Sequence, residues 1–215
     1  MVEPRPEPEA PADELPLVLE EARELGFLGP GPSEGQLRHA VELAQVIGPF
    51  AGHFLDLGSG GGLPGLVLAF ELPEATGCLL DAQQRRCVFL ELAITRLRLG
   101  RRMTVACGRA ETLARDPALR YGFDLVVARS FASPPVTAEC AAGFLRPGGR
   151  LVVTEPPEAE SSARRWPADG LALLGLGPAR RIRSGETAAV EVWAGEPVGD
   201  RYPRREGIPA KRPLW

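Results

Sequence analysis

Apolar residues along this chain follow two rhythms. In the first stretch they recur at helical spacing. Residues 17–25 carry Val18, Ala22 and Leu25 on one face and stop at Gly26. Ser33-x-x-Gln36 reads as a capping box before a second helix. That helix has the stripe Leu37, Val41, Ala44 and Ile47 and ends at Gly48-Pro49. From residue 51 short apolar runs alternate with helical stripes. Runs at 53–57, 75–80, 103–107, 123–128 and 150–154 predict strands, and helices are predicted from Pro64 and over 84–99, 110–115 and 135–145. Such alternation predicts an α/β fold, a mostly parallel sheet with helices on both faces. After Glu155, runs at 171–176 and 188–194 predict an antiparallel pair closing the sheet, with an antiparallel final strand. The expected organisation is a disordered tail at 1–16, helices at 17–50, a main domain at 51–200 and a basic segment at 201–215.

Right-handed crossovers put the loops after the parallel strands on one sheet edge, where ligands bind. Those loops carry Gly58–Leu63, Asp81–Gln83, Gly108–Glu111, Arg129–Phe131 and Glu155–Pro157. The first follows an apolar run as Gly58-Ser59-Gly60-Gly61-Gly62-Leu63-Pro64-Gly65. Read from Gly58, G-x-G-x-x-G fails at Leu63; read from Gly60 it matches with Gly62 and Gly65 but starts two residues late. S-adenosylmethionine has an adenosine ribose but no pyrophosphate, so it does not need the third glycine. Gly58 and Gly60 let a ligand lie against backbone. Asp81 stands 23 positions after Gly58, near the roughly 20-residue spacing at which an acid meets ribose hydroxyls. Asp56 is expected to face the amino-acid end of the ligand. Gly108-Arg109-Ala110-Glu111 falls where adenine would stack, and Glu111 reads equally as an acid in a first helical turn. Arg129 falls nearest the reacting group and suits a carboxylate or an RNA phosphate held bidentately. The bland readings are a plain turn for the glycines and a structural ion pair for Arg129.

Composition adjusts this picture modestly. The chain has 215 residues, 44% hydrophobic and 25% charged, enough for one α/β domain. No run reaches the ~20 apolar residues that span a bilayer, and the acidic, proline-rich start is unlike a signal peptide. A cytoplasmic monomer without membrane contact is expected. Net charge is −3, yet the charge is uneven. Residues 1–50 carry three basic and ten acidic side chains, whereas residues 161–215 carry ten and six. The basic end suits phosphates or a solvated surface. Cys78, Cys87, Cys107 and Cys140 form no C-x-x-C, and His39 and His53 lie apart, so no metal site is expected. Cys78 and Cys107 read as small core residues, and His39 as a surface histidine.

These stretches together resemble the small-subunit ribosomal RNA guanine-N7 methyltransferases, also called the glucose-inhibited division protein B family. The matching pieces are 56–65, Leu79-Leu80-Asp81 with Arg86 and Phe89-Leu90, 108–111, and Ala128-Arg129-Ser130-Phe131-Ala132. The most specific is Arg201-Tyr202-Pro203-Arg204-Arg205-x-Gly207-Ile208-Pro209-x-Lys211-x-Pro213-Leu214. Residues 144–153 look like the L-x-P-G-G turn of class I methyltransferases, a helix end followed by a turn into a strand. The resemblance covers about residues 20–215. It implies a class I, Rossmann-like S-adenosylmethionine-dependent methyltransferase that methylates a guanine N7 in 16S ribosomal RNA, free or in the small subunit. It places Gly58, Leu63, Ala110, Glu111 and Arg129 at the cofactor, to which the loop reading adds Gly60 and Asp81. Arg129 is the residue expected at the reaction, and Arg201, Arg204, Arg205, Lys211 and Arg212 are expected to bind RNA. The chain departs from the family at Glu155-Pro156, where Lys-Gly is common, and at Ala82, where serine is common.

The titratable residues suit that chemistry. Guanine N7 has an in-plane lone pair and no proton at neutral pH, so attack on a sulfonium methyl needs no general base. Cytosine C5 chemistry needs a cysteine, for which Cys107 is the nearest candidate. The adenine-N6 signature is lacking, since Ser133-Pro134-Pro135-Val136 comes late and has no aromatic. A small-molecule methyltransferase and a non-catalytic RNA-binding module remain as alternative readings.

Overall fold

The computed structural model describes residues 12–156 and 162–215. Its centre is a seven-stranded sheet in the order β3-β2-β1-β4-β5-β7-β6. The strands are β1 His53–Leu57, β2 Thr76–Asp81, β3 Met103–Cys107, β4 Phe123–Ala128, β5 Leu145–Glu155, β6 Arg180–Ser184 and β7 Thr187–Trp193. β1 to β5 pair in parallel, and β7 is antiparallel to both β5 and β6. The order reverses between β1 and β4, which opens a crevice at the carboxyl ends of those strands.

Alternation along each strand splits the core in two. Phe54, Leu79, Leu125, Val127, Val152 and Ala189 meet α1 Leu15–Glu24, α2 Ser33–Ile47, α3 Gly65–Glu71 and α4 Gln84–Arg96. Leu55, Leu57, Leu80, Val126, Ala128, Leu151 and Val190 point the other way. They pack with α5 Ala110–Leu113, α6 Pro134–Ala142, α8 Ala168–Ala172 and the C-terminal segment with Tyr202. Two short helices, α7 Ser162–Arg165 and α9 Ile208–Lys211, complete the chain. No described helix is long and apolar enough to cross a membrane.

Three expectations are corrected. Residues 12–16 are not tail: Ala12–Glu14 form a 3-10 turn, and α1 begins at Leu15, whose side chain is buried; residues 1–11 lie outside the described residues. The 171–176 run is not a strand. Leu171 ends up in α8 and, with Leu174 and Leu176, is buried, so hydrophobicity there marks a core-facing turn. The true partner of β7 is the arginine-rich β6, whose edge position tolerates charge. The 144–153 stretch is not a helix end and turn, because α6 stops at Ala142 and β5 runs through Pro147-Gly148-Gly149 with a register shift.

Candidate active site

The loop after β1 is tied down by backbone bonds. The N–H groups of Gly58 and Ser59 both donate to the Leu80 carbonyl at 2.9 Å. Gly58 and Gly60 have φ of 79° and 56°, where glycine pays no Cβ penalty. Beneath the loop lies Asp56, fully buried. Its Oδ2 accepts from the N–H of Gly65, the first residue of α3, at 2.9 Å, and its Oδ1 has no partner. Burial pushes its pKa up to about 7. Strand alternation turns Asp56 under the loop, so it props the start of α3 and does not face the ligand cleft as expected.

Two more buried carboxylates line a cavity of about 350 Å³ on the β2–β3 side of the crevice, with Gly58, Ala110 and Phe131. Asp81 Oδ2 accepts from Gly60 N–H at 2.9 Å, and Oδ1 from Gln83 N–H at 2.8 Å. Glu111 Oε1 accepts from Gly207 N–H at 3.0 Å and stands 3.4 Å from the Arg109 guanidinium. An ionised carboxylate has about four acceptor positions, so both retain capacity for a ligand's hydroxyl or amine. The Phe131 ring lies against Gly58, where an added Cβ would come within 2.5 Å of it. A side chain at Gly58 would thus strike Phe131 first.

A second cavity, about 300 Å³, lies over the glycine loop and is lined by Gly60, Leu63, Gln36 and Arg129. A third, about 370 Å³, lies on the β5 side with His39, Arg129, Glu155, Arg165 and Trp166. Arg129 borders both. Its Nη2 donates to Gln36 Oε1 at 3.3 Å, while Nη1 is buried without a partner. Burial lowers its pKa, with the Asp56 charge opposing. An unpaired guanidinium edge between two cavities is a receptor for a carboxylate or phosphate. Arg129 is therefore not locked in a structural ion pair. Ser130 borders all three cavities and has φ +54°, a strained value for a non-glycine residue.

Gln36 and His39 line the crevice in roles other than those expected, whereas Glu155 lines it as its loop position predicts. Gln36 does not cap α2: the N-cap is Pro32 without a side-chain cap bond, and the Gln36 amide donates to the Gly29 carbonyl at 2.9 Å while holding Arg129. His39, expected on the surface, lines the third cavity, with Nδ1 at 2.7 Å from Thr187 Oγ1. Glu155 is buried and accepts from Trp166 Nε1 at 3.1 Å and Arg165 Nη2 at 3.2 Å. The arginine that neutralises it comes from a helix ten residues on.

The basic C-terminal segment divides. Arg204 is not available to RNA as expected. Its guanidinium forms a forked pair with Glu139, whose side chain is fully buried, and its N–H donates to the same carboxylate at 2.7 Å. Arg201, Arg205, Lys211 and Arg212 are exposed, with Arg201 over the Tyr202 ring at 4.8 Å. Arg115 and Arg120 donate to carbonyls at 198–203, which straps the segment to the sheet domain. Cys107 is likewise not core: it is exposed at the end of β3 and disulfide-bonded to Cys87. Among the described residues no group of three or more metal-binding side chains gathers.

The family model for rRNA small subunit methyltransferase G matches residues 33–166. Curated proteins named ribosomal RNA small subunit methyltransferase G are similar over most of their length. That of Moorella thermoacetica is 34% identical over 174 residues, 77% of this chain and 71% of the relative. That of Deinococcus deserti is 36% identical over 197 residues, 83% and 77%. The Rubrobacter xylanophilus protein is 33% identical, covering 94% and 82%. Among solved structures, a putative O-methyltransferase from Klebsiella pneumoniae superposes with a TM-score of 0.56 at 20% identity, covering 89% of this chain and 93% of that one. An O-methyltransferase from Bacillus cereus gives 0.57 at 18%, covering 88% and 93%. These likenesses show the class I methyltransferase fold.

Proposed function

The chain belongs to the rRNA small subunit methyltransferase G family and is an rRNA methyltransferase, and we propose that it transfers a methyl group to guanine N7 of 16S ribosomal RNA using S-adenosylmethionine. The observation that carries the assignment is Arg129 Nη1, buried and unpartnered where the glycine-loop cavity meets the β5 cavity.

The residues fit that donor. Its adenosine suits the β2–β3 cavity, with Asp81 for ribose hydroxyls and Glu111 and the Ala110 backbone for adenine. Its carboxylate suits Arg129, beside Gly58, Gly60 and Leu63. When bound, the donor supplies an electrophilic sulfonium methyl. Everything else falls to placement. Arg129 and Gln36 hold the donor's end, Ser130 and Phe131 separate donor from acceptor, and the third cavity receives the base. N7 attacks with its own lone pair, so no protein group has to take a proton, and the enzyme contributes alignment. His39 is then a wall of the acceptor cavity rather than a base. Arg201, Arg205, Lys211 and Arg212 contact RNA phosphates, and Arg204 fixes the segment that presents them. The setting is cytoplasmic and the working unit a monomer, which light scattering checks.

The test is single-turnover methylation of small ribosomal subunits with the product nucleoside identified by mass. 7-Methylguanosine is expected; any other methylated nucleoside overturns the acceptor.

A further inference from the structure

Two cysteines flank segments that line the β2–β3 cavity. Cys107 ends β3, is exposed, and leads directly into Gly108–Glu111, one wall of that cavity. Cys87 lies in the first turn of α4, which follows Asp81-Ala82-Gln83, a second part of that lining, and is 1% exposed. Their Cα atoms are 5.8 Å apart, a spacing that a disulfide closes without backbone movement, and the two are bonded. Each sulfur also lies beside an oxygen that can accept from it once the bond is reduced. Cys87 Sγ lies 3.3 Å from the Asp81 carbonyl oxygen and Cys107 Sγ 3.4 Å from Gln84 Oε1, acceptors for the two thiols. Cys78 and Cys140 differ: both are buried and free, and burial pushes both thiols up, so they are inert. In a reducing cytoplasm a disulfide is normally transient and redox-sensing.

We propose that Cys87 and Cys107 form a reversible thiol–disulfide couple, driven by a small-molecule disulfide, that tightens the methyl-donor cavity when oxidised. The coupling to affinity rests on the donor reading above. Exposed Cys107 is the entry point. Its thiolate attacks one sulfur of glutathione disulfide, the S–S bond breaks, and one glutathione leaves as thiolate. Cys87 thiolate then attacks the Cys107 sulfur and expels the second glutathione. Two protein thiols are oxidised, one glutathione disulfide is reduced to two thiols, and the leaving thiolates take up the two protons. The bond pins the loops after β2 and β3 to each other, so the oxidised cavity is preorganised and donor binding orders less chain.

The experiment equilibrates the full chain in glutathione buffers from reducing to oxidising. Free thiols are then mapped by alkylation and mass spectrometry, and S-adenosylmethionine is titrated calorimetrically. Oxidation should protect Cys87 and Cys107 alone. Reduction should weaken donor affinity by about fivefold, the scale of one immobilised side chain's ordering cost. Cys107→Ser, at an exposed position, should hold the weak value in every buffer, and Cys87→Ala should do the same. Thiols that stay unpaired under glutathione disulfide overturn the couple. Equal wild-type affinity in both states overturns the coupling while leaving the donor reading intact. Absence of binding in either state overturns both.

Discussion

The two walls of the crevice are built by different means. On the β1–β3 side, three buried carboxylates accept backbone N–H groups: Asp56 from Gly65, Asp81 from Gly60 and Gln83, Glu111 from Gly207. That wall is bolted to its own main chain, and through Gly207 to the C-terminal segment. On the β4–β5 side the wall consists of side chains: Arg129 leaning on Gln36, Glu155 neutralised by Arg165, and His39 on Thr187. A cofactor common to many acceptors calls for a fixed mould. The difference locates rigidity on the β1–β3 side and an unpaired cation, Arg129, at the boundary between the two sides.

The largest effect expected comes from unbolting the first wall. Arg204→Ala leaves the buried Glu139 carboxylate without its guanidinium, with only the backbone N–H of residue 204 still donating to it, and should cost about 3 kcal/mol in urea unfolding. Adding Glu139→Gln should recover part of that, because the orphaned charge is gone. An Arg204→Ala protein of wild-type stability would show that the strap is not held there. On the second wall, Arg129→Ala should lower single-turnover methylation by roughly 100-fold in a folded protein, the cost of misplacing a reactant by about 1 Å. Arg129→Lys should restore little, since a point charge lacks the planar fork.

Asp56 sharpens the comparison through pH. Its native pKa of about 7 lies above its unfolded value near 3.8, so the native state binds more protons between them. Its contribution is full below pH 4 and is lost as pH rises to about 7. Wild-type stability minus that of Asp56→Asn should therefore fall by an amount on the order of a few kcal/mol across that window, then level off. A flat difference would mean that Asp56 is ionised throughout. Arg205→Ala, at an exposed site, should leave stability within about 0.5 kcal/mol. It should reduce the slope of log affinity for RNA against log salt by roughly one. The smallest effect belongs to His39→Ala. The chemical step should stay near wild type, whereas loss of a general base costs about 10²–10⁴ in rate. A loss of that size, with donor binding intact, would refute base-free transfer.

Local pattern sufficed for the parallel part of the sheet. Five apolar runs at parallel-strand spacing, with glycines after the first and an acid after the second, place β1–β5 and the crevice because period and turn chemistry are short-range properties. The ligand-facing loops follow from topology alone. Pairing across the fold was not legible. Arg204 and Arg205 are adjacent and chemically identical, and only α6, which brings Glu139 under one of them, separates a buried clamp from an exposed cation. Gln36 has the spacing of a cap, yet its amide bonds Gly29 and Arg129 because α2 packs beside the crevice. Cys87 and Cys107 are 20 residues apart and meet only because α4 returns the chain alongside β2. Asp56 reads as a ligand contact until strand alternation turns it into the core. Charge and hydrophobicity are written residue by residue, but whether a charge is spent inside the protein depends on which distant side chain the packing delivers to it.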